Sequence, residues 1–230
     1  MRKPLEDRIL YEDNHLLIVN KEPSEIVQGD KTGDICLLDD VKSYIKETYN
    51  KPGNVYAGLV HRIDRPVSGA IIFAKTSKAL SRMTLKIKER EFRKTYLAIV
   101  KNKPPHEAGE LSDYMVKNET QNKSYIVSSS TKGAKLAQLR YRLIGASDSY
   151  YLLEVELITG RHHQIRAQLA HMGCPIKGDL KYGFPRSNPD ASISLHAYKL
   201  QFEHPTLKSL IEIKAPTPGG MPWEAFRLEN

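Results

Sequence analysis

His61-Arg62-Ile63-Asp64-Arg65-Pro66-Val67-Ser68 runs directly into Gly69-Ala70-Ile71-Ile72-Phe73-Ala74. The second half of this stretch is short and almost wholly apolar, the composition of a central strand buried on both faces. The first half gathers cationic and titratable side chains around one aspartate, on a backbone constrained by Pro66 and Gly69. An acid on a stiff loop beside a core strand is well placed for positioned chemistry. Taken alone, the same loop also reads as a plain turn in which Asp64 pairs with neighbouring arginines.

Working outward toward the N-terminus, Ile9-Leu10-Tyr11, the turn formers Asp13-Asn14 and Leu16-Leu17-Ile18-Val19 predict a hairpin that ends at Lys21-Glu22-Pro23. Leu37, Leu38, Val41, Tyr44, Ile45 and Thr48 then recur at helical spacing, with Asp34 as the N-cap and Pro52-Gly53 closing the helix. On the other side, Ser77 opens a second helix whose less polar positions are Leu80, Met83, Leu85 and Ile87, and whose end is basic. Tyr96-Leu97-Ala98-Ile99-Val100 is another strand. Residues 103–109 read as a loop, and residues 121–133 as a polar loop or mobile hairpin. Residues 139–144 and 150–158 pair around the turn Ser147-Asp148-Ser149. Residues 162–172 are helical in pattern, with Ile165, Leu169 and Ala170 inward and Gly173 just past the end. Residues 193–213 give two strands separated by His204-Pro205. Strands in hairpin-like runs, a few helices and no regular βαβ alternation predict an α+β fold with a mainly antiparallel sheet. No internal repeat and no linker divides the sequence, so one domain over residues 1–230 is expected.

Composition narrows the function. With 40% hydrophobic residues in 230, a real core is available. No apolar run approaches the ~20 residues that span a bilayer, and Met1-Arg2-Lys3-Pro4-Leu5-Glu6-Asp7 has no secretory pattern; the cytoplasm and no membrane association are expected. Cys36 and Cys174 read as two reduced thiols, and neither CxxC nor HExxH is present to hold zinc. Thirty-five Lys and Arg against 27 Asp and Glu give a net charge of +8, which favours a polyanionic partner, nucleic acid above all.

Two further segments carry chemistry. In Lys94-Thr95-Tyr96-Leu97-Ala98-Ile99-Val100, Tyr96 reads first as a packed strand aromatic with a hydrogen-bonded hydroxyl. In Ile158-Thr159-Gly160-Arg161-His162-His163-Gln164-Ile165-Arg166, a strand gives way to a helix whose start is dense in donors. Free backbone N–H groups there attract anions, so phosphate or a carboxylate suits the place, although a solvated basic helix face has the same composition. His162, His163 and His171 lack a carboxylate or cysteine at ligand spacing, which speaks against zinc.

Together these segments resemble the RluA family of pseudouridine synthases. The pattern His-Arg-Leu-Asp, two variable residues, Thr-Ser-Gly stands here as His61 to Gly69; Lys-x-Tyr-x-Ala-x-Val as Lys94, Tyr96, Ala98 and Val100; and Thr-Gly-Arg-x-His-Gln-Ile-Arg as Thr159 to Arg166. Pro175 to Asp179 with Tyr182-Gly183, and the opening Tyr11-Glu12-Asp13 with Val19-Asn20-Lys21, extend the likeness over residues 8–213. Val67 and Ile63 replace threonine and leucine with similar shapes, and Lys21-Glu22-Pro23-Ser24 departs from Lys-Pro-x-Gly.

The resemblance implies the pseudouridine synthase fold, a mainly antiparallel mixed sheet with flanking helices, and a single catalytic domain with no N-terminal S4-type RNA-binding domain. It implies an isomerase that converts uridines of ribosomal or transfer RNA without cofactor or metal; oligomeric state is not readable from the sequence, and a monomer is the default expectation. Asp64 is then the catalytic carboxylate, Arg166 its charge partner, and Tyr96 the aromatic that stacks on uracil and offers a hydroxyl toward the C5 proton. Arg62, Arg65, Arg161 and His163 are candidates for RNA contacts. A non-catalytic RNA-binding protein on the same fold is the alternative, but intact Asp64, Tyr96 and Arg166 argue against it. A glycoside hydrolase would need a second catalytic acid, which the three segments lack.

Overall fold

The structure, a computed structural model, describes residues 3–29 and 35–226; the expected N-cap Asp34 lies outside them. The chain packs as two compact units, one made of the residues up to Arg93 with Ala197–Thr217, the other of Lys94–His196 with the residues from Pro218 on.

In the first unit the expected hairpin forms from β1 (Ile9–Glu12) and β2 (Leu16–Lys21). Asp13 shapes its turn: Oδ1 accepts the backbone N–H groups of His15 at 2.8 Å and Leu16 at 2.7 Å. A two-residue strand β3 (Gly58–Leu59), too short to show a sequence period, joins β4 (Ser68–Ala74). β4 also pairs antiparallel with β2, from Leu16 opposite Ala74 to Lys21 opposite Gly69, and every one of its residues is buried, as the apolar run predicts.

Helix α1 (Leu37–Thr48) buries Leu37, Val41 and Ile45. Helix α2 (Ser77–Lys88) is capped by Thr76, whose Oγ1 accepts the Ala79 N–H at 3.1 Å. Its buried positions are Ala79, Met83 and Lys86, while Leu85 is exposed. The aliphatic pattern misleads here because Lys86 spends its stem on the core and gives its ammonium to Glu203 at 2.9 Å and Glu91 at 3.1 Å.

The second unit is an antiparallel array in the order β5 (Phe92–Val100), β9 (Tyr151–Leu157), β8 (Lys135–Ala146), β6 (Ala108–Asn118), β7 (Lys123–Val127). β6 alternates between exposed and half-buried positions, with only Met115 fully buried, so it carried no apolar signal in the sequence. Its turn and β7 turn the polar stretch 121–133 into a hairpin for half its length. Helix α3 (Gln164–His171) starts two residues later than its pattern and is buried along six consecutive residues, Gln164 to Leu169. Ala170, expected inward, is only partly buried. Back in the first unit, to which Ala197–Thr217 belong, the two expected tail strands β10 (Leu195–Glu203) and β11 (Leu210–Lys214) pair antiparallel around a loop that starts at His204-Pro205. The strand pairings described within each unit are antiparallel, so the architecture is α+β as predicted. Cys36 and Cys174 are free and buried, and among the described residues no helix is long and apolar enough to cross a membrane.

Candidate active site

The Asp64 loop leaves β3 and enters β4. It closes on itself where the Val67 N–H donates to the Asp64 carbonyl at 3.0 Å, leaving Asp64 half-buried and Arg62 and Arg65 exposed. What fixes this loop is Lys21 at the end of β2. Its side chain is 1% exposed, and Nζ donates to the carbonyls of Glu22 at 2.9 Å, Arg65 at 3.0 Å and Val67 at 2.6 Å. An ammonium so deeply buried is tolerable only where oxygen dipoles replace its water. Ser24 adds a second tie: its N–H donates to the Arg65 carbonyl at 2.9 Å, and Arg65 Nε donates to the Ser24 carbonyl at 3.2 Å. The atypical Lys21-Glu22-Pro23-Ser24 therefore still braces the loop. Behind it, buried His61 accepts the Ile72 N–H on Nε2 at 3.3 Å and tilts against Phe92.

Gly69 is required at the loop's exit. Its φ is +113°, and a Cβ there would sit 2.4 Å from the Ala197 carbonyl oxygen.

In the second unit, Tyr96 lies in β5 opposite Val155 and is 6% exposed. The segment between β9 and α3 is organised by Gln164, which is itself buried. Its Oε1 accepts Thr159 Oγ1–H at 2.8 Å and the Arg161 N–H at 2.9 Å, and its Nε2 donates to the Gln138 carbonyl at 2.9 Å. Arg161 is exposed but anchored, with Nε on the Leu136 carbonyl at 2.8 Å.

His163, at the N-cap of α3, takes left-handed backbone angles of φ 53° and ψ 25°, a conformation that histidine adopts more readily than most residues. Its ring is buried, stacked on His162 at 3.8 Å between centroids, with Nδ1 3.0 Å from the Tyr182 hydroxyl. Burial first, then the Arg166 guanidinium, His162, Lys181 and Lys117, push its pKa down to about 2. A ring so placed favours its neutral form.

Arg166, 5% exposed, points its fork at Asp179: Nε to Oδ2 at 2.7 Å and Nη2 to Oδ1 at 2.9 Å. Asp179 is itself 1% exposed. It is the last residue of the segment 175–179, and nothing local to that segment names its partner. Burial also draws the Lys94 pKa down. Among the described residues, no group of three or more His, Cys, Asp and Glu is arranged to hold a metal ion.

Residues 15–171 match the family described as RNA pseudouridylate synthase. The chain belongs to that family. It is therefore an isomerase that converts uridine to pseudouridine. The synthase is 34% identical over 219 residues to the ribosomal large subunit pseudouridine synthase C of Buchnera aphidicola, an alignment covering 91% of this chain and 67% of that relative. It is 31% identical to the enzyme of the same name from Escherichia coli K12, covering 98% and 71%. To an RNA pseudouridine synthase of Bacillus subtilis, YlyB, it is 30% identical, covering 96% and 72%. Among solved structures, human RNA pseudouridylate synthase domain containing 4 superposes with a TM-score of 0.79 at 23% identity, covering 93% of this chain and 90% of that one. That likeness shows that the synthase has the pseudouridine synthase fold.

The structure adds to the residues expected from sequence. Arg62, Asp64 and Arg65 share the braced loop of the first unit, and Tyr96, Arg161, His163 and Arg166 belong to the second. Sequence reasoning did not single out Lys21, Gln164, Asp179 and Tyr182 as partners of these residues and their loops. Each lay inside a quoted segment, but none announces its partner locally.

Proposed function

We propose that the synthase isomerises particular uridines in structured RNA, with ribosomal RNA as the substrate class and Asp64 as the catalytic carboxylate. The substrate is inferred from the relatives, several of which carry the name ribosomal large subunit pseudouridine synthase C. The carboxylate is inferred from the braced turn: the loop that carries Asp64 is held by a buried Lys21 that donates to the carbonyls of Arg65 and Val67, and to that of Glu22 beside it. Such construction serves a group whose position matters.

The reaction breaks the bond from ribose C1′ to uracil N1, turns the base and closes a bond from C1′ to C5; the C5 proton leaves and N1 gains one. Atoms and electrons balance without an oxidant or energy source. The uridine must first leave its stack, at a cost of a few kcal/mol, which contacts of Arg62, Arg65 and Arg161 with phosphates offset. The Asp64 carboxylate then attacks the sugar or removes a ribose proton as uracil departs. Arg166 supplies a fixed positive charge for the chemical step, Tyr96 stacks on the base and receives the C5 proton, and His163 supports the Arg161–Arg166 segment.

The test is Asp64→Asn. This variant folds normally, binds ribosomal RNA transcripts, and releases no tritium from 5-tritiated uridine. Appreciable release would remove Asp64 from the role.

A further inference from the structure

Tyr182 stands between two things that matter to an RNA isomerase. Its ring lies against Arg166, whose guanidinium carbon is 5.1 Å from the ring centroid, and makes an edge contact with His163 at 5.6 Å and 80°. Its hydroxyl is inserted into the β6–β7 hairpin, accepting the Ser124 N–H at 2.9 Å with the Ser124 carbonyl at 3.2 Å. The hydroxyl donates its one proton to the Ser124 carbonyl at 3.2 Å, and His163 Nδ1 stands 3.0 Å from the same oxygen.

A second set of ties holds the same hairpin. His162 Nδ1 meets Ser124 Oγ at 2.8 Å, His162 Nε2 meets Asn122 Oδ1 at 3.1 Å, and Lys181 Nζ donates to the Asn122 carbonyl at 3.0 Å. The hairpin carries Lys117 and Lys123 near its turn and an exposed Tyr125. Cations beside an exposed aromatic suit a nucleic-acid strand.

We infer that Tyr182 is a positioning residue whose two ends control different steps: the hydroxyl fixes the β6–β7 hairpin as an RNA-binding arm, and the ring fixes Arg166 for the chemical step. The inference rests on the proposed roles of Arg166 and of RNA as substrate. A merely structural tyrosine would weaken both steps together. A side chain divided in this way separates them.

The experiment compares Tyr182→Phe with Tyr182→Leu, using transcribed ribosomal RNA containing 5-tritiated uridine. Tyr182→Phe keeps the ring and loses the hydroxyl's hydrogen bonds, so KM rises about three- to tenfold while kcat stays within about twofold of wild type. Tyr182→Leu shows the same rise in KM and also loses kcat on the order of a hundredfold, the scale of a misplaced group. Equal losses of kcat in the two variants, or an unchanged KM in Tyr182→Phe, would overturn the inference.

Should Tyr182→Leu unfold, His162→Ala serves instead. It cuts two of the hairpin's other ties, leaving Lys181 on Asn122 and the ring on Arg166, so KM rises and kcat holds; a fall in kcat overturns the inference. The Kd for the same RNA, measured with Tyr182→Phe in an Asp64→Asn background, reads the hairpin without turnover. Weakened binding there supports the arm even if Asp64 proves not to be catalytic, and unchanged binding sinks it whatever Asp64 does.

Discussion

Arg166 and Asp179 form a two-point ion pair, Nε to Oδ2 at 2.7 Å and Nη2 to Oδ1 at 2.9 Å, with 5% and 1% of the residues exposed. Parallel N–H···O bonds fix the plane of the guanidinium as well as its position, so Asp179 dictates how Arg166 is presented. Removing one member of a buried pair leaves the other charge without that compensation. Asp179→Ala is expected to lower stability by roughly 3–5 kcal/mol, with Asp179→Asn costing less because the amide still accepts one bond. Urea unfolding followed by circular dichroism measures both, and a loss under about 1 kcal/mol for Asp179→Ala would mean that the pair carries little.

Lys21 acts through the backbone of the Asp64 loop. Lys21→Met preserves the stem's volume and removes the ammonium from the carbonyls of Glu22, Arg65 and Val67. The loop then settles within a broader range, and kcat is expected to fall about 10- to 100-fold, with a smaller change in KM. Steady-state tritium release gives both constants. A variant with wild-type kcat would show that the clamp is not what aims Asp64.

Gly69 has no room for a side chain. Gly69→Ala places a methyl 2.4 Å from the Ala197 carbonyl oxygen and holds alanine at φ +113°. Strain and overlap together are expected to cost roughly 2–5 kcal/mol. A thermal melt lowered by several degrees is the expected result.

His163 makes stability depend on pH. The unfolded chain protonates this residue near pH 6.5, whereas in the folded state burial and the surrounding cations hold the pKa at about 2. Between those values the unfolded state binds more protons. The folded state's advantage is therefore complete above about pH 6.5 and falls as pH drops through that value, by about 1.4 kcal/mol per unit. His163→Asn tolerates the left-handed backbone and does not titrate. Between pH 7.5 and 5.5 it is expected to lose about 1.4 kcal/mol less than wild type in urea unfolding; an identical loss in both proteins would show that His163 does not make this contribution.

Much of the fold could be read in advance. The β1–β2 hairpin, both long helices, buried β4 and the β8–β9 and β10–β11 pairs each announce themselves by period or composition over a few residues. β3 and β6 did not: β3 is too short to have a period, and β6 has one fully buried residue in eleven. α2 shows the limit within a correctly placed helix, since Leu85 is exposed and Lys86 is buried.

By itself the sequence determined where apolar stretches begin and end, the order of the elements that have a period, and the likeness of residues 61–69, 94–100 and 159–166 to the family's motifs. Those properties are local, set by side-chain spacing and backbone preference. Only the tertiary structure decided which polar groups meet: Lys21 with carbonyls 44 and 46 positions away, Arg166 with Asp179, Tyr182 with Ser124 across 58 positions. A charge or hydroxyl withdrawn from water takes whatever partner packing brings within 3 Å, and that choice is made by the whole fold.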